Sequence, residues 1–233
     1  MTRDQMLANL HASLASSRPW LKGVARSASQ DIPPYVHPPA ADLAAQFADQ
    51  LRALAGQVYP VLDESAALAQ IGALLRAKAA TQAIAWDLGQ IGLPGLAQLL
   101  AEHGVALVQP AIQNSARKGR LQALDPATIC ISGADLGIAE SGSLLLRHSP
   151  GRPRIASLLA PYHIAVLRTS QLVRGLGEAL ALVRARYGGA IFTATSNLTL
   201  ITGPSRTADI EMTLSLGIHG PQEIHVVLIA DSR

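Results

Sequence analysis

One cysteine, Cys130, stands in the 233 residues, which excludes an internal disulfide and any four-cysteine cage for zinc or an iron–sulfur cluster. Electron transfer, if the chain takes part in it, has to run through a partner's redox centre. Aromatic residues are scarce at 3%, so the stacking platforms that unpaired bases require are missing. Charge of one sign is scarce too: 19 Lys and Arg against 16 Asp and Glu leave a net +3, a small excess for a dedicated nucleic-acid binder. The opening residues, MTRDQMLANLHASL, carry Arg3 and Asp4 and lack the apolar core and small-residue cleavage site of a secretory leader. The longest charge-free stretch, Tyr187 to Ser205, contains Gly188, Gly189, Asn197, Gly203 and Pro204, a content that no membrane-spanning helix carries. These absences predict a soluble, cytoplasmic protein.

What is plentiful is aliphatic: 49% of residues are hydrophobic, and they are mainly Ala, Leu, Val and Ile. The cations are three Lys and sixteen Arg, and a guanidinium offers carboxylate or phosphate a planar fork. Met6, Leu7, Leu10 and Leu14 are spaced as one stripe of an amphipathic helix over the first twenty residues. From Arg18 to Pro39 the chain holds Pro19, Pro33, Pro34, Pro38 and Pro39 and reads as an arm. Residues 1–40 are therefore expected to form a helix and Pro-rich arm, and residues 41–233 an α/β domain.

In that domain helical and strand patterns alternate: helix Ala41 to Leu54, an edge strand Gln57 to Leu62 marked by Pro60, and helix Glu64 to Ala79. A strand at Gln82 to Trp86, a helix from about Pro94 to His103 stopped by Gly104, and a strand at Val105 to Gln109 come next. Repeated helix-then-strand units predict a mostly parallel sheet with helices on its faces, a three-layer α/β/α Rossmann-like sandwich. Further strands are expected at Thr128 to Ile131, Gly137 to Glu140, Ser143 to Arg147, Tyr162 to Leu167, Ala190 to Ala194 and Glu223 to Ile229. A long helix capped by Thr169 or Ser170 and stopped by Gly188 falls between them, and a short helix is expected after Thr207.

Three polar, Gly-containing segments interrupt the aliphatic second half. In SGADLGIAESGSLLL, Ser132 to Leu146, Glu140 ends an apolar strand before a turn. A carboxyl with part of its water shell removed has a raised pKa and can serve as acid, base or nucleophile; alternatively it accepts hydrogen bonds from the turn. Asp135 supports this segment, and Gly142 and Ser143 could contact an anion. In TGPSRTADIE, Thr202 to Glu211, the backbone after Gly203 with Ser205, Arg206 and Thr207 would make an anion site at the start of the expected helix. Asp209 and Glu211 would then be first-turn acids that favour the helix start, and Arg206 could pair with one of them. In LGIHGP, Leu216 to Pro221, His219 lies in a glycine-flanked loop, where an imidazole can move a proton or be solvated. No zinc-type spacing joins these residues, so a metal is not expected. His163, His225 and Cys130 fall inside strand patterns and read as packed.

The GADLGIAESGSLLL, ITGPSRTADIE and LGIHGP segments, in this order and C-terminal position, resemble the lactate-utilisation protein C family, whose shared unit is the LUD domain. The resemblance covers about Ala41 to Asp231. It implies a fold similar to the sugar-phosphate isomerases and coenzyme A transferases, and a part in bacterial oxidation of L-lactate to pyruvate beside iron–sulfur partner proteins. With one Cys, this chain would be the non-redox subunit, without a cofactor of its own, binding a small carboxylate through Arg206 with Glu140 or His219 handling a proton. Coenzyme A transferases carry a catalytic glutamate in a Ser-Glu-Asn-Gly turn; here the matching stretch is Ala139-Glu140-Ser141-Gly142. Two other readings stay open: a free-standing isomerase or transferase acting through Glu140, and a structural module whose N-terminal helix docks on a partner or on a second copy.

Overall fold

The computed structural model describes residues 2–27, 33–108, 117–188, 195, 197–208 and 214–231. The chain divides into two units at Pro33/Pro34. The smaller holds helix α1 (Arg3–Ser27), which continues through Pro19, so the expected arm begins later than Arg18. Its Met6, Leu7, Leu10 and Leu14 are exposed.

The larger unit is an α/β sandwich about a six-stranded sheet, built from strands β1 (Gln57–Val61), β2 (Gln82–Ala85), β3 (Ala106–Leu107), β4 (Ile129–Gly133), β7 (Tyr162–Arg168) and β12 (Glu223–Ile229). Their order is β1-β12-β7-β4-β2-β3, and every pairing is parallel. Strand β4 is buried at all five positions, and β7 and β12 nearly so, as a sheet covered on both faces requires. Pro60 sits in β1 at the sheet's edge, where its missing N–H costs no ladder bond. The helices start where the sequence supplies caps. Asp42 accepts from the Ala44 and Ala45 amides at 2.9 and 3.1 Å ahead of α2 (Leu43–Ala53), and Asp63 accepts from Ala66 at 2.8 Å ahead of α3 (Glu64–Ala77). Phe47, Ala48 and Leu51 of α2, and Ala67, Ile71, Leu74 and Leu75 of α3, point into the core. Short helices α4 (Leu88–Ile91) and α5 (Leu96–Glu102) link β2 to β3, and α6 (Arg117–Leu124) precedes β4.

A second sheet accompanies the first. Strands β5 (Leu136–Ile138), β6 (Ser143–His148), β8 (Leu172–Val173) and β9 (Asn197–Ile201) lie in the order β8-β5-β6-β9. Ile138, Leu145 and Val173 from this sheet form a separate apolar cluster with Ala179 and Val183 of helix α7 (Leu176–Tyr187). The expected helix from Thr169 is corrected here: residues 169–171 form a single 3-10 turn, Leu172–Val173 join the sheet, and the α-helix starts only after Gly175. Tertiary bonds override the local pattern. Asp231, just past β12, accepts from the Thr169 hydroxyl at 2.9 Å and the Ser170 amide at 2.5 Å, while Leu172 and Val173 pair with Gly137 and Ile138. Likewise, Arg206–Ala208 are strand β10, antiparallel to β11 (Leu214–Leu216), where a helix start was expected. Asp209, Glu211 and the Ala190 to Ala194 strand fall outside the described residues. Among the described residues no helix is long and apolar enough to cross a membrane.

Candidate functional site

The three polar segments do converge, around the C-terminal end of α2. Ser143 and Thr202, opposite each other just beyond the β6–β9 ladder, share a hydroxyl bond of 2.7 Å that continues to Ser141 at 2.8 Å. The Ser205 amide donates to Pro221 O and the Gly217 amide to Ser205 O, both at 2.9 Å, tying the second segment to the third. Gly142 and Gly203 have φ of 60° and 89°. A Cβ on Gly142 would run into the Gln50–Leu51 backbone, and one on Gly203 would lie 3.0 Å from Leu54 Cβ. Both glycines are needed because loop and helix touch backbone to backbone. The Arg206 guanidinium donates to Leu54 O and so closes the carbonyl end of α2.

These contacts lie at the amino ends of the strands: Leu54 leads into β1 and Pro221 into β12. They fasten loops to α2. Arg206–Ala208 form a strand of a β-ribbon and the Ser205 amide is already bonded to Pro221 O, while the helix expected after Thr207 falls on residues 209–213, outside the described residues. Thr207 pairs with Ser215 in that ribbon, and His219 is exposed on the bend beyond it.

Glu140 has a different environment from the one its sequence suggests. Its Oε2 accepts from the Val36 and His37 amides at 2.8 and 3.3 Å, and Oε1 from the Leu176 amide, the first residue of α7, at 3.2 Å. Burial pushes this carboxyl up, but the amides of Val36, Leu176 and His37, with the His37 side chain nearby, outweigh it and hold it below the usual carboxylate value. The expected raised pKa is thus corrected. Glu140 is a charged clamp that caps α7 and holds Tyr35–His37 on the domain, and Pro34 O adds a bond from the Glu178 amide at 3.0 Å.

Of the described residues singled out in the sequence, Asp135 alone borders the crevice at the carboxyl ends of the parallel strands. The chain leaving β2 turns towards β3, and the chain leaving β4 turns the other way towards β7. Open α/β sheets bind their ligands where such connections diverge. A crevice of about 240 Å³ occupies this point, bounded by Gln90 and Gly92 after β2, Asp135 after β4, Arg168 and Gln171 at the end of β7, and Arg152, Arg186 and Tyr187. Asp135 is deeply engaged: Oδ1 accepts from Arg152 Nη1 at 2.9 Å and Oδ2 from the Arg147 amide at 2.7 Å, with Arg147 Nε 3.7 Å from Oδ1. Arg152 Nε donates to Gln90 Oε1 at 2.7 Å, and its guanidinium lies over the Trp86 ring. Arg168 Nη2 binds Glu64 Oε1 at 2.5 Å and Gly92 O at 2.9 Å, and the Gln171 amide group is fixed on Ala134 O at 2.6 Å.

Each of these two guanidiniums spends only part of its fork. Among the described residues, Arg152 Nη2 and Arg168 Nη1 and Nε carry no bond, and Arg186 is exposed without an ion pair. Three cations border one gap whose lining carboxylate, Asp135, is already paired with Arg152. That arrangement suits an anion with in-plane oxygens. It offers no nucleophile: Asp135 is consumed by its partners, and Cys130 is buried with its thiol pushed up by that burial. Arg152, Arg168, Arg186, Gln90 and Gln171 were missed in the sequence. The signals that could have found them are the bias to Arg over Lys and the polar residues directly after apolar strands. Among the described residues no cluster of His, Cys, Asp and Glu could hold a metal ion.

Fold and crevice together define an open parallel-sheet α/β domain with a polar cleft at its switch point. Residues 44–229 match the LUD domain family, and the chain belongs to that family. Lactate utilization protein C of Shouchella clausii is 32% identical over 176 residues, which cover 76% of this chain and 70% of that protein. The Bacillus subtilis protein of the same name is 32% identical over 139 residues, 59% of this chain and 58% of its own length. An uncharacterised protein of Neisseria meningitidis is 39% identical over 98 residues, 42% of this chain and 40% of that protein. The match thus spans only about half the length of several curated relatives. The crystal structure of a DUF162 family protein from Deinococcus radiodurans has the same fold, with a TM-score of 0.56 and 21% identity over 81% of this chain and 97% of that one.

Proposed function

We propose that this protein serves bacterial L-lactate utilisation as a non-redox subunit that holds a small carboxylate, L-lactate or pyruvate, in the crevice at the strand carboxyl ends. The observation that carries the reading is the set of unspent guanidinium donors on Arg152 and Arg168 at the switch point, taken with relatives named lactate utilization protein C. Arg152 is braced by Asp135 and Gln90, and Arg168 by Glu64 and Gly92 O. The braces set the forks in place before a ligand arrives, which lowers the entropy cost of binding. Oxidation of the hydroxy acid would fall to iron–sulfur partner proteins, because one cysteine supplies no cluster ligand set. Glu140, with its oxygens on three backbone amides, lends no support to thioester or isomerase chemistry in the chain alone. The test is thermal unfolding with L-lactate and pyruvate. At about 100 times the dissociation constant the ligand adds about 2.7 kcal/mol, a rise of about 5–10 °C for a chain of this size. No rise with either acid, for the chain alone and for the chain with its partners, sinks the proposal.

A further inference from the structure

We propose a second binding site, for an amphipathic anion, in the chamber between α7 and the four-stranded sheet. The chamber encloses about 580 Å³. Sites of about 300–1,000 Å³ bury most of a cofactor-sized molecule, whereas lactate or pyruvate would leave this one mostly filled with water. The inference goes beyond the carboxylate reading and does not depend on it.

The walls and the rim call for opposite chemistries. Leu136, Leu145, Leu172, Val173, Leu182 and Val183 line the chamber. Leu145, Val173 and Val183 are held by the cluster that packs the second sheet on α7, so the apolar wall is part of a built core. Leu182 remains 47% exposed at the mouth. A ligand's apolar body would cover exposed Leu182 and half-buried Leu136 and Leu172 without repacking the fold.

The polar end is supplied by Arg147, Arg186 and Tyr187. The Arg147 guanidinium lies 4.4 Å from the Tyr187 ring centre, and its Nε is buried without a hydrogen bond. Asp135 does not satisfy that donor: it lies 3.7 Å away and its oxygens are taken by Arg152 and the Arg147 amide. Arg147 Nε thus has a carboxylate in ion-pair range but no hydrogen bond; a buried donor without a hydrogen bond is costly, and an incoming acid group would accept one from it. Arg186 adds a second cation. Asp135 and Glu178 are the lining carboxylates; Asp135 is neutralised by Arg152, and Glu178 is bonded to the Arg174 amide at 2.7 Å. The balance at the rim therefore favours an anion. Asp135, Arg186 and Tyr187 also border the crevice, so the two sites share a wall.

The test is calorimetric titration of the full chain at pH 7.5 with octanoate, 1-octanol and octylamine as probes, and with L-lactate in parallel. Octanoate is expected to bind one to one, with octanol and octylamine at least about tenfold weaker, because only the anion pairs with the rim guanidiniums. Leu182→Asp and Arg186→Glu, both on exposed positions and checked by circular dichroism for folding, should each weaken octanoate about tenfold or more. Leu182→Asp should leave any L-lactate heat unchanged. Octanol binding as tightly as octanoate, octanoate giving no heat, or indifference of octanoate to both variants would each overturn the proposal. Octanoate binding without any lactate response upholds the chamber and removes the crevice reading instead.

Discussion

Replacing Glu140 should cost stability, with a pH dependence of definite sign. In Glu140→Ala the amides of Val36, His37 and Leu176 lose acceptors now 2.8, 3.3 and 3.2 Å away. Two of the three bonds are long and the site is partly solvated, so about 1 kcal/mol each, 2–3 kcal/mol in sum, is the reasonable figure. For a chain of this size that is a fall of about 5–10 °C in Tm, read by differential scanning calorimetry at pH 7.5. Glu140→Gln keeps an acceptor but loses the charge and should fall between. The native carboxyl lies below its ordinary value of 4.5, so its contribution is complete above that value and is lost as pH falls through the native one. Wild type and Glu140→Gln should therefore converge in acid. A truncation that keeps Pro34–His37 should melt like the larger unit, whereas removing those residues should reproduce part of the Glu140→Ala loss. An unchanged Tm in Glu140→Ala at pH 7.5 would refute the clamp and reopen a chemical role for this carboxylate.

Gly142→Ala should be strongly destabilising, by about 3 kcal/mol or more, because φ is 60° and the new Cβ meets the Gln50–Leu51 backbone; urea unfolding measures it, and a loss under about 1 kcal/mol contradicts the close approach. Asp135→Ala leaves the guanidiniums of Arg147 and Arg152, each less than one fifth exposed, without their carboxylate and should cost about 3–5 kcal/mol, visible in the same assay. His163 is fully buried on β7, with Nε2 2.8 Å from Ser132 Oγ, and burial, helped by the His225 charge, pulls its pKa from 6.5 to about 3. Its folded value is lowered, so the unfolded chain takes up the proton first. Stability should fall by about 1.4 kcal/mol per pH unit from this one imidazole between those two values. His163→Asn should flatten that slope, and an unaltered slope would show that His163 is not the group responsible.

The six parallel strands were legible in the sequence because each is an apolar run bounded by Gly, Pro or a capped helix. The helical periodicity of 41–54 and 64–79 placed α2 and α3, and Pro60 marked the edge. What escaped was decided by which segments pair, near or far along the chain. The expected helix ran from Thr169 through LVRGLGEALALVRARY, yet Asp231 holds Thr169 and Ser170 in a turn and Gly137–Ile138 draw Leu172–Val173 into a strand. Arg206–Ala208 looked like a helix start and instead pairs with Leu214–Leu216. The candidate site suffered from the same limit. The three Gly-containing segments read as candidate sites of chemistry, and they do meet, but at the amino ends of the strands, where they grip α2. The polar residues of the carboxyl edge come from separate stretches of the chain, and only the strand order brings Gln90, Arg152 and Arg168 around Asp135.

A carboxylate held at the carboxyl edge depends on Arg168, and one held in the loop after Gly203 depends on Arg206; calorimetric titration of L-lactate and pyruvate into wild type, Arg168→Ala and Arg206→Ala separates the two. With the site at the carboxyl edge, wild type and Arg206→Ala bind, and Arg168→Ala loses at least about tenfold, about 1.4 kcal/mol. Binding retained by Arg168→Ala and lost in Arg206→Ala would contradict that placement and return the anion site to the loop at the end of α2.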